Sequence, residues 1–169
     1  AKHGSTVLRV FANDADDLHE NKKIGYHLLS GNSEGIFEIS TSTGEIVLTG
    51  SLDRERTADY TLVVEAKDHG EPALSSTAIV KITVKDVNDN SPDFTQQEYT
   101  AEVDEDLGLG ETVTRVSASD IDAGDNGKVE YKIASGNDGN HFEIERDEGI
   151  VSVRTALDYE QAQQHKLII

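Results

Sequence analysis

Asp86-Val87-Asn88-Asp89-Asn90-Ser91-Pro92 divides the chain, and the two sides of it repeat one another. A shift of about 105 residues lays matching segments together in one order. Asp14-Ala15-Asp16 falls on Asp120-Ile121-Asp122, and Ile24-Gly25-Tyr26-His27-Leu28 on Val129-Glu130-Tyr131-Lys132-Ile133. Phe37-Glu38-Ile39 falls on Phe142-Glu143-Ile144, and Leu52-Asp53-Arg54-Glu55 on Leu157-Asp158-Tyr159-Glu160. Matches at nearly one spacing mean two copies of one structural unit.

Within each copy, apolar and polar residues alternate, as they do along a strand with one buried face. Leu8, Val10 and Ala12 share a side; so do Tyr26 and Leu28, Phe37 and Ile39, and Ile46 and Leu48. Tyr60, Leu62, Val64 and Ala66 mark a longer strand, and Val80, Ile82 and Val84 another. The second copy answers with Val116 and Ala118, Tyr131 and Ile133, Phe142 and Ile144, Val151 and Val153, then Leu167 and Ile169. Turns rich in Gly, Asn and Ser, such as Ser30-Gly31-Asn32 and Ser135-Gly136-Asn137-Asp138-Gly139, separate the runs. No long segment has the helical period, so the fold class is all-β, two tandem antiparallel sandwiches.

The copies are expected to span residues 1–91 and 92–169. Tyr99 to Val103 reads as the first strand of the second copy, and the first copy shows no counterpart of it. The second copy stops inside the strand that matches Tyr60 to Ala66. Both sandwiches are therefore expected to be incomplete, the first lacking its first strand and the second its last one to two, with residues outside the chain or a partner closing the open edges. The start, Ala1-Lys2-His3-Gly4, is no signal peptide, and no apolar run approaches the roughly 20 residues of a membrane span. The chain reads as an internal fragment that does not itself insert into a membrane.

Among 169 residues, 33 Asp and Glu stand against 15 Lys and Arg, a formal net charge of −18. That field disfavours nucleic acid and anionic lipid as partners and suits hard divalent cations, which take oxygen ligands. With no Cys, disulfides and thiolate metal sites are excluded. The six His form no zinc-spaced pattern, and no phosphate loop or Gly-x-Ser-x-Gly elbow occurs. Paired carboxylates serve glycoside hydrolysis elsewhere, yet here they recur at strand ends without Trp to stack a sugar. No enzymatic activity is expected.

The acidic residues gather at strand ends. Asp86 to Asn90 packs four oxygen-bearing side chains into one short stretch. Asp53 and Glu55 share a face if their segment is extended, as do Asp120 and Asp122. Calcium takes about six to eight oxygens from carboxylates, amides and carbonyls, a mixture these clusters supply. Local turn chemistry is the competing reading of any one cluster. The EF-hand fails on spacing: counting from Asp120 puts Asp125 at the Gly position and Tyr131 at the Glu position, and counting from Asp86 puts Ser91 and Gln97 there.

Asp-x-Asn-Asp-Asn after a strand, Leu-Asp-Arg-Glu or Leu-Asp-Tyr-Glu, Asp-x-Asp before a Gly/Asn turn, and Ala-x-Asp-x-Gly together resemble the extracellular cadherin repeat over essentially the whole chain. The resemblance implies seven-stranded Greek-key, immunoglobulin-like sandwiches strung end to end, with three calcium ions at each junction. It implies junction ligands Asp53, Glu55, Asp86, Asn88, Asp89 and Asn90 from the first repeat and Asp120 and Asp122 from the second, with carbonyls from Val87, Asn90 and Asn126. Two ligands of the family pattern are missing at this junction, a Glu from the first strand of the first repeat and an Asp after the truncated strand of the second; their counterparts in the opposite copies are Glu105 and Asp68. Asp14, Asp16 and Asp68 would serve the junction above, where the turn from Asp14 to Asn21 departs from the commoner form; Glu105, Asp158 and Glu160 would serve the one below.

The function so implied is calcium-dependent cell–cell adhesion, by a glycoprotein of the cell membrane whose repeats lie on the extracellular side. Its partners would be flanking repeats and other cadherin ectodomains, like or unlike. The alternative is a calcium-stabilised secreted or spacer module without direct adhesive contact.

Overall fold

The structure, a computed structural model, describes residues 2–14 and 23–169. Every regular element among them is a strand, and no helix among them is long and apolar enough to cross a membrane. The chain divides into two compact units, Ala1–Lys85 and Asp86–Ile169. Asp86 and Asn90 hydrogen-bond to Ala123, Asn126 and Asp122 within the second unit.

The first unit contains β1 (Thr6–Arg9), β2 (Gly25–Ser30), β3 (Phe37–Ile39), β4 (Glu45–Leu48), β5 (Asp59–Lys67) and β6 (Ser75–Thr83). They form two antiparallel sheets, ordered β1-β4-β3 and β2-β5-β6. Alternation sends Ile46 and Leu48 of one sheet and Tyr60, Leu62 and Val64 of the other into a single core with Ile36, Phe37 and Val80. Phe37 meets Tyr60 edge-on at 5.1 Å between ring centroids, an arrangement the ring quadrupoles favour.

The second unit contains β7 (Asp93–Phe94), β8 (Thr112–Arg115), β9 (Ala118–Ser119), β10 (Phe142–Ile144) and β11 (Ile150–Val153), of which β8, β11 and β10 repeat the β1-β4-β3 sheet. Its sheets run β10-β11-β8 and β7-β9, over a core of Val116, Phe142, Val151 and Val153. Side-chain hydrogen bonds repeat as well. The Asn32 side chain donates to the Phe37 carbonyl at 2.7 Å and accepts from its amide at 3.1 Å; Asn137 does the same to Phe142 at the same distances. The amides of Ala12 and Ala118 donate to Tyr26 Oη and Tyr131 Oη at 3.1 and 2.8 Å.

Two expected strands differ. Tyr99 to Val103 has no ladder partner among the described residues; Tyr99 is held by its hydroxyl instead, which donates to the Ser117 carbonyl at 2.9 Å and accepts from the Ser117 amide at 3.2 Å. Tyr131 to Ile133 also forms no ladder, since its expected neighbour Leu167–Ile169 contributes only a bridge from Ile168 to Ser135. A strand is defined by the neighbour that satisfies its backbone, which periodicity along one chain segment does not report.

Candidate metal centre

The second unit gathers Asp86, Asn90, Asp122 and Asn126 around the end of β9. The turn after this strand is local chemistry: Asp120 Oδ1 accepts the Asp122 amide at 2.9 Å, and the Asn126 amide closes on the Ala123 carbonyl at 3.3 Å. Gly127 lets the chain return tightly, because a Cβ there would stand 2.1 Å from the Asp122 carbonyl oxygen. Asp122 is consequently 7% exposed.

Amides converge on both carboxylates. Asp122 Oδ1 accepts from Asn90 Nδ2 at 2.7 Å, and Oδ2 accepts from the Asn90 backbone at 3.2 Å. Asp86 Oδ2 accepts from Asn126 Nδ2 at 2.9 Å and the Ala123 amide at 3.1 Å. A carboxylate oxygen of Asp86 and one of Asp122 lie within 4.8 Å of each other. Two anions that close, one of them buried, repel unless a cation lies between them. Each Asp122 oxygen accepts one of these hydrogen bonds and keeps a further lone pair, and the donor set is entirely oxygen, which fits calcium and not a thiolate- or imidazole-seeking metal.

Val87, Asn88 and Asp89 are exposed, and Asp89 Oδ1 accepts from Asn90 Nδ2 at 3.1 Å. The resemblance gave Asn90 as a junction ligand and carbonyl donor and Asn126 as a carbonyl donor alone; the side-chain amides of both hold the acids. Their amides at the ends of the Asp-rich segments were the available signal.

In the first unit, Asp53 and Glu55 do not lie on an extended segment, which corrects the shared-face expectation. Asp53 Oδ1 accepts the Arg56 amide at 3.0 Å and its carbonyl accepts the Thr57 amide at 2.9 Å, winding residues 53–57 into a turn. An Asp that can bond an amide three residues ahead favours this over a strand. Glu55 is ion-paired with Arg54, both side chains being mostly buried. The second unit repeats the turn at Asp158, which accepts from the Gln161 amide at 3.1 Å and from Gln161 Nε2 at 2.7 Å.

Glu105 Oε2 accepts the Tyr159 amide at 2.9 Å, so Glu105 meets the segment that carries half-buried Asp158 and exposed Glu160. Asp68 Oδ1 accepts the amides of Gly70 and Leu74, each at 2.9 Å. These bonds, Leu74's first, hold its carboxyl below the usual carboxylate range. Asp14 is half-buried; Asp16 and Asn21 lie outside the described residues.

Comparison with known proteins agrees with this architecture. The chain is 39% identical to human "Protocadherin-23" across 98% of its own length and 5% of that protein's, and 39% identical to the Drosophila melanogaster "Fat-like cadherin-related tumor suppressor homolog" across 100% and 4%. It thus spans about one-twentieth of these relatives. Among solved structures, mouse Cadherin-23 EC22-24 superposes with a TM-score of 0.85 at 32% identity, over 96% of this chain and 50% of that one. The family model described as "Cadherin domain" matches residues 1–85 and 99–169, and the chain belongs to the cadherin family.

Proposed function

We propose that the chain is a calcium-dependent segment of an adhesion receptor ectodomain, in which calcium ties consecutive repeats and stiffens the linker between them. Cadherin domains are adhesion modules and not enzymes, and calcium binding is characteristic of the family. The single observation that carries the reading here is the approach of the Asp86 and Asp122 carboxylates to within 4.8 Å, with Asp122 buried. Asp53, Glu55, Asn88, Asp89 and Asp120 would complete the ligand set with the carbonyls of Val87, Asn90 and Asn126. Asp14, Asp16 and Asp68 would serve one neighbouring junction, and Glu105, Asp158 and Glu160 the other; the contact of Glu105 with Tyr159 supports grouping the latter three.

In this mechanism the chain's own groups position the ligands. Asn90 fixes both oxygens of Asp122, Asn126 and Ala123 fix Asp86, and Asp120 closes the turn beneath them. Calcium, when bound, supplies the positive charge that offsets the repulsion. Without it the carboxylates part and the linker flexes; with it the repeats are held at a set angle, able to carry load and to present distant surfaces to other ectodomains on the extracellular side of the membrane. Extracellular calcium modules bind at about 10⁻⁴–10⁻³ M, so millimolar calcium contributes on the order of 1 kcal/mol per site.

Thermal unfolding in millimolar calcium and in chelator tests the reading. A melting temperature raised by calcium, with the rise reduced in Asp89→Ala, is the expected result. Identical melting in both conditions would remove it.

A further inference from the structure

The outward face of the β2-β5-β6 sheet carries apolar residues where solvent is expected. Tyr60, Leu62 and Val64 point into the core, so Asp59, Thr61, Val63, Glu65 and Lys67 line the opposite face of β5. In β6, with Val80 buried, Ile79 faces outward and is 67% exposed; it pairs directly with Val63. Leu29, 53% exposed, stands at the bulge where the pairing of β2 shifts between Leu28 and Ser30, the latter opposite Val63. Leu29, Val63 and Ile79 thus form an apolar row across three strands.

We propose that this face binds a second copy of the chain, face to face, about a two-fold axis running along that row. The charges decide for a second copy. Asp59 and Lys67 lie on β5 equally far from Val63, in opposite directions and with opposite sign. Rotation about the row carries Asp59 of one copy onto Lys67 of the other, twice by symmetry. The same rotation sets Glu65 against Thr61 and Lys81 against Thr77, so no like charges are opposed. The result is an isologous contact with an apolar centre and an ion-paired rim. The face belongs wholly to the first unit and does not rest on the calcium reading.

Sedimentation of the protein, in calcium and separately in chelator, tests it. The expected result is a concentration-dependent dimer that Ile79→Lys weakens at least about tenfold. Asp59→Lys and Lys67→Asp should each be monomeric alone, yet associate when mixed, because the mixture restores both ion pairs. Since sheets pack about 10 Å apart, too far for a disulfide, Ile79→Cys in this Cys-free chain should join to its own copy through a short bismaleimide, while Leu109→Cys on the second unit should not. A monomer up to about 1 mM, or a dimer indifferent to Ile79→Lys and to the charge reversals, overturns the proposal. Circular dichroism confirms that each variant is folded. A dimer that persists in chelator, with no calcium effect on melting, would sink the calcium reading and leave this one standing.

Discussion

Asn90 grips Asp122 with two donors, its side-chain amide on Oδ1 at 2.7 Å and its backbone amide on Oδ2 at 3.2 Å. The pair joins the acidic segment after β6 to the turn after β9, and it aims a buried carboxylate whose neighbour is another carboxylate. Structural support and the proposed calcium site therefore meet in one contact. Removing either partner should be visible in both stability and calcium response.

Asp122→Ala strands the Asn90 donors and deletes a proposed calcium ligand. Hydrogen bonds to charged groups contribute about 1.5–3 kcal/mol each, so a loss on that scale is expected in chelator. The calcium-dependent rise in melting temperature should shrink as well. Urea unfolding with and without calcium separates the two effects; Asn90→Ala should show the first and only part of the second.

The matched clamps of Asn32 on Phe37 and Asn137 on Phe142 predict matched costs. Asn→Ala at either position leaves a half-buried amide and carbonyl without these partners, for about 1–3 kcal/mol. In a domain of this size each kcal/mol lowers melting by roughly 4–8 °C. Scanning calorimetry of the two single variants should give similar shifts.

Glycine positions separate backbone strain from collision. Gly110 has φ +81° and open space around it, so Gly110→Ala should cost about 1–2 kcal/mol for the left-handed backbone alone. At Gly149, φ is +68° and a Cβ would stand 2.4 Å from the Val116 carbonyl oxygen; Gly44 faces Val10 identically. Gly149→Ala should therefore destabilise clearly more than Gly110→Ala in denaturant melts.

His165 packs edge-on against Phe142 at 5.1 Å and tilts against His141 at 5.3 Å. Desolvation, then the charge of His141, lowers its pKa from 6.5. The unfolded state thus takes up this proton first. The stability this His supplies is complete above pH 6.5 and declines as pH falls from there through the lower folded value. His165→Asn should flatten the decline between neutral and mildly acidic pH, read as urea midpoint against pH.

Much of this protein is legible in local order. The periodic pairs Ile46 and Leu48, Leu62 and Val64, and Val151 and Val153 are buried as their alternation requires, since the pleat fixes side-chain direction residue by residue. The two-copy plan is equally local, being self-similarity along the chain. Acidic placement at strand ends is likewise local, and the calcium proposal starts from it.

Distant neighbours decided the rest. Tyr99–Val103 and Tyr131–Ile133 have strand-like composition, yet without a ladder partner their backbones stay irregular. Asp53 reads as part of an extended pair but winds its own turn, because an amide three residues ahead is a nearer donor than any strand. The hold of Asn126 on Asp86 joins residues that only folding brings together. So does the pairing of Val63 with Ile79, which turns two ordinary strand residues into the centre of an exposed apolar row. Side-chain direction is a property of each residue's own backbone, and the sequence by itself determined it; who stands opposite is a property of the packed sheets, and only the tertiary structure decided that.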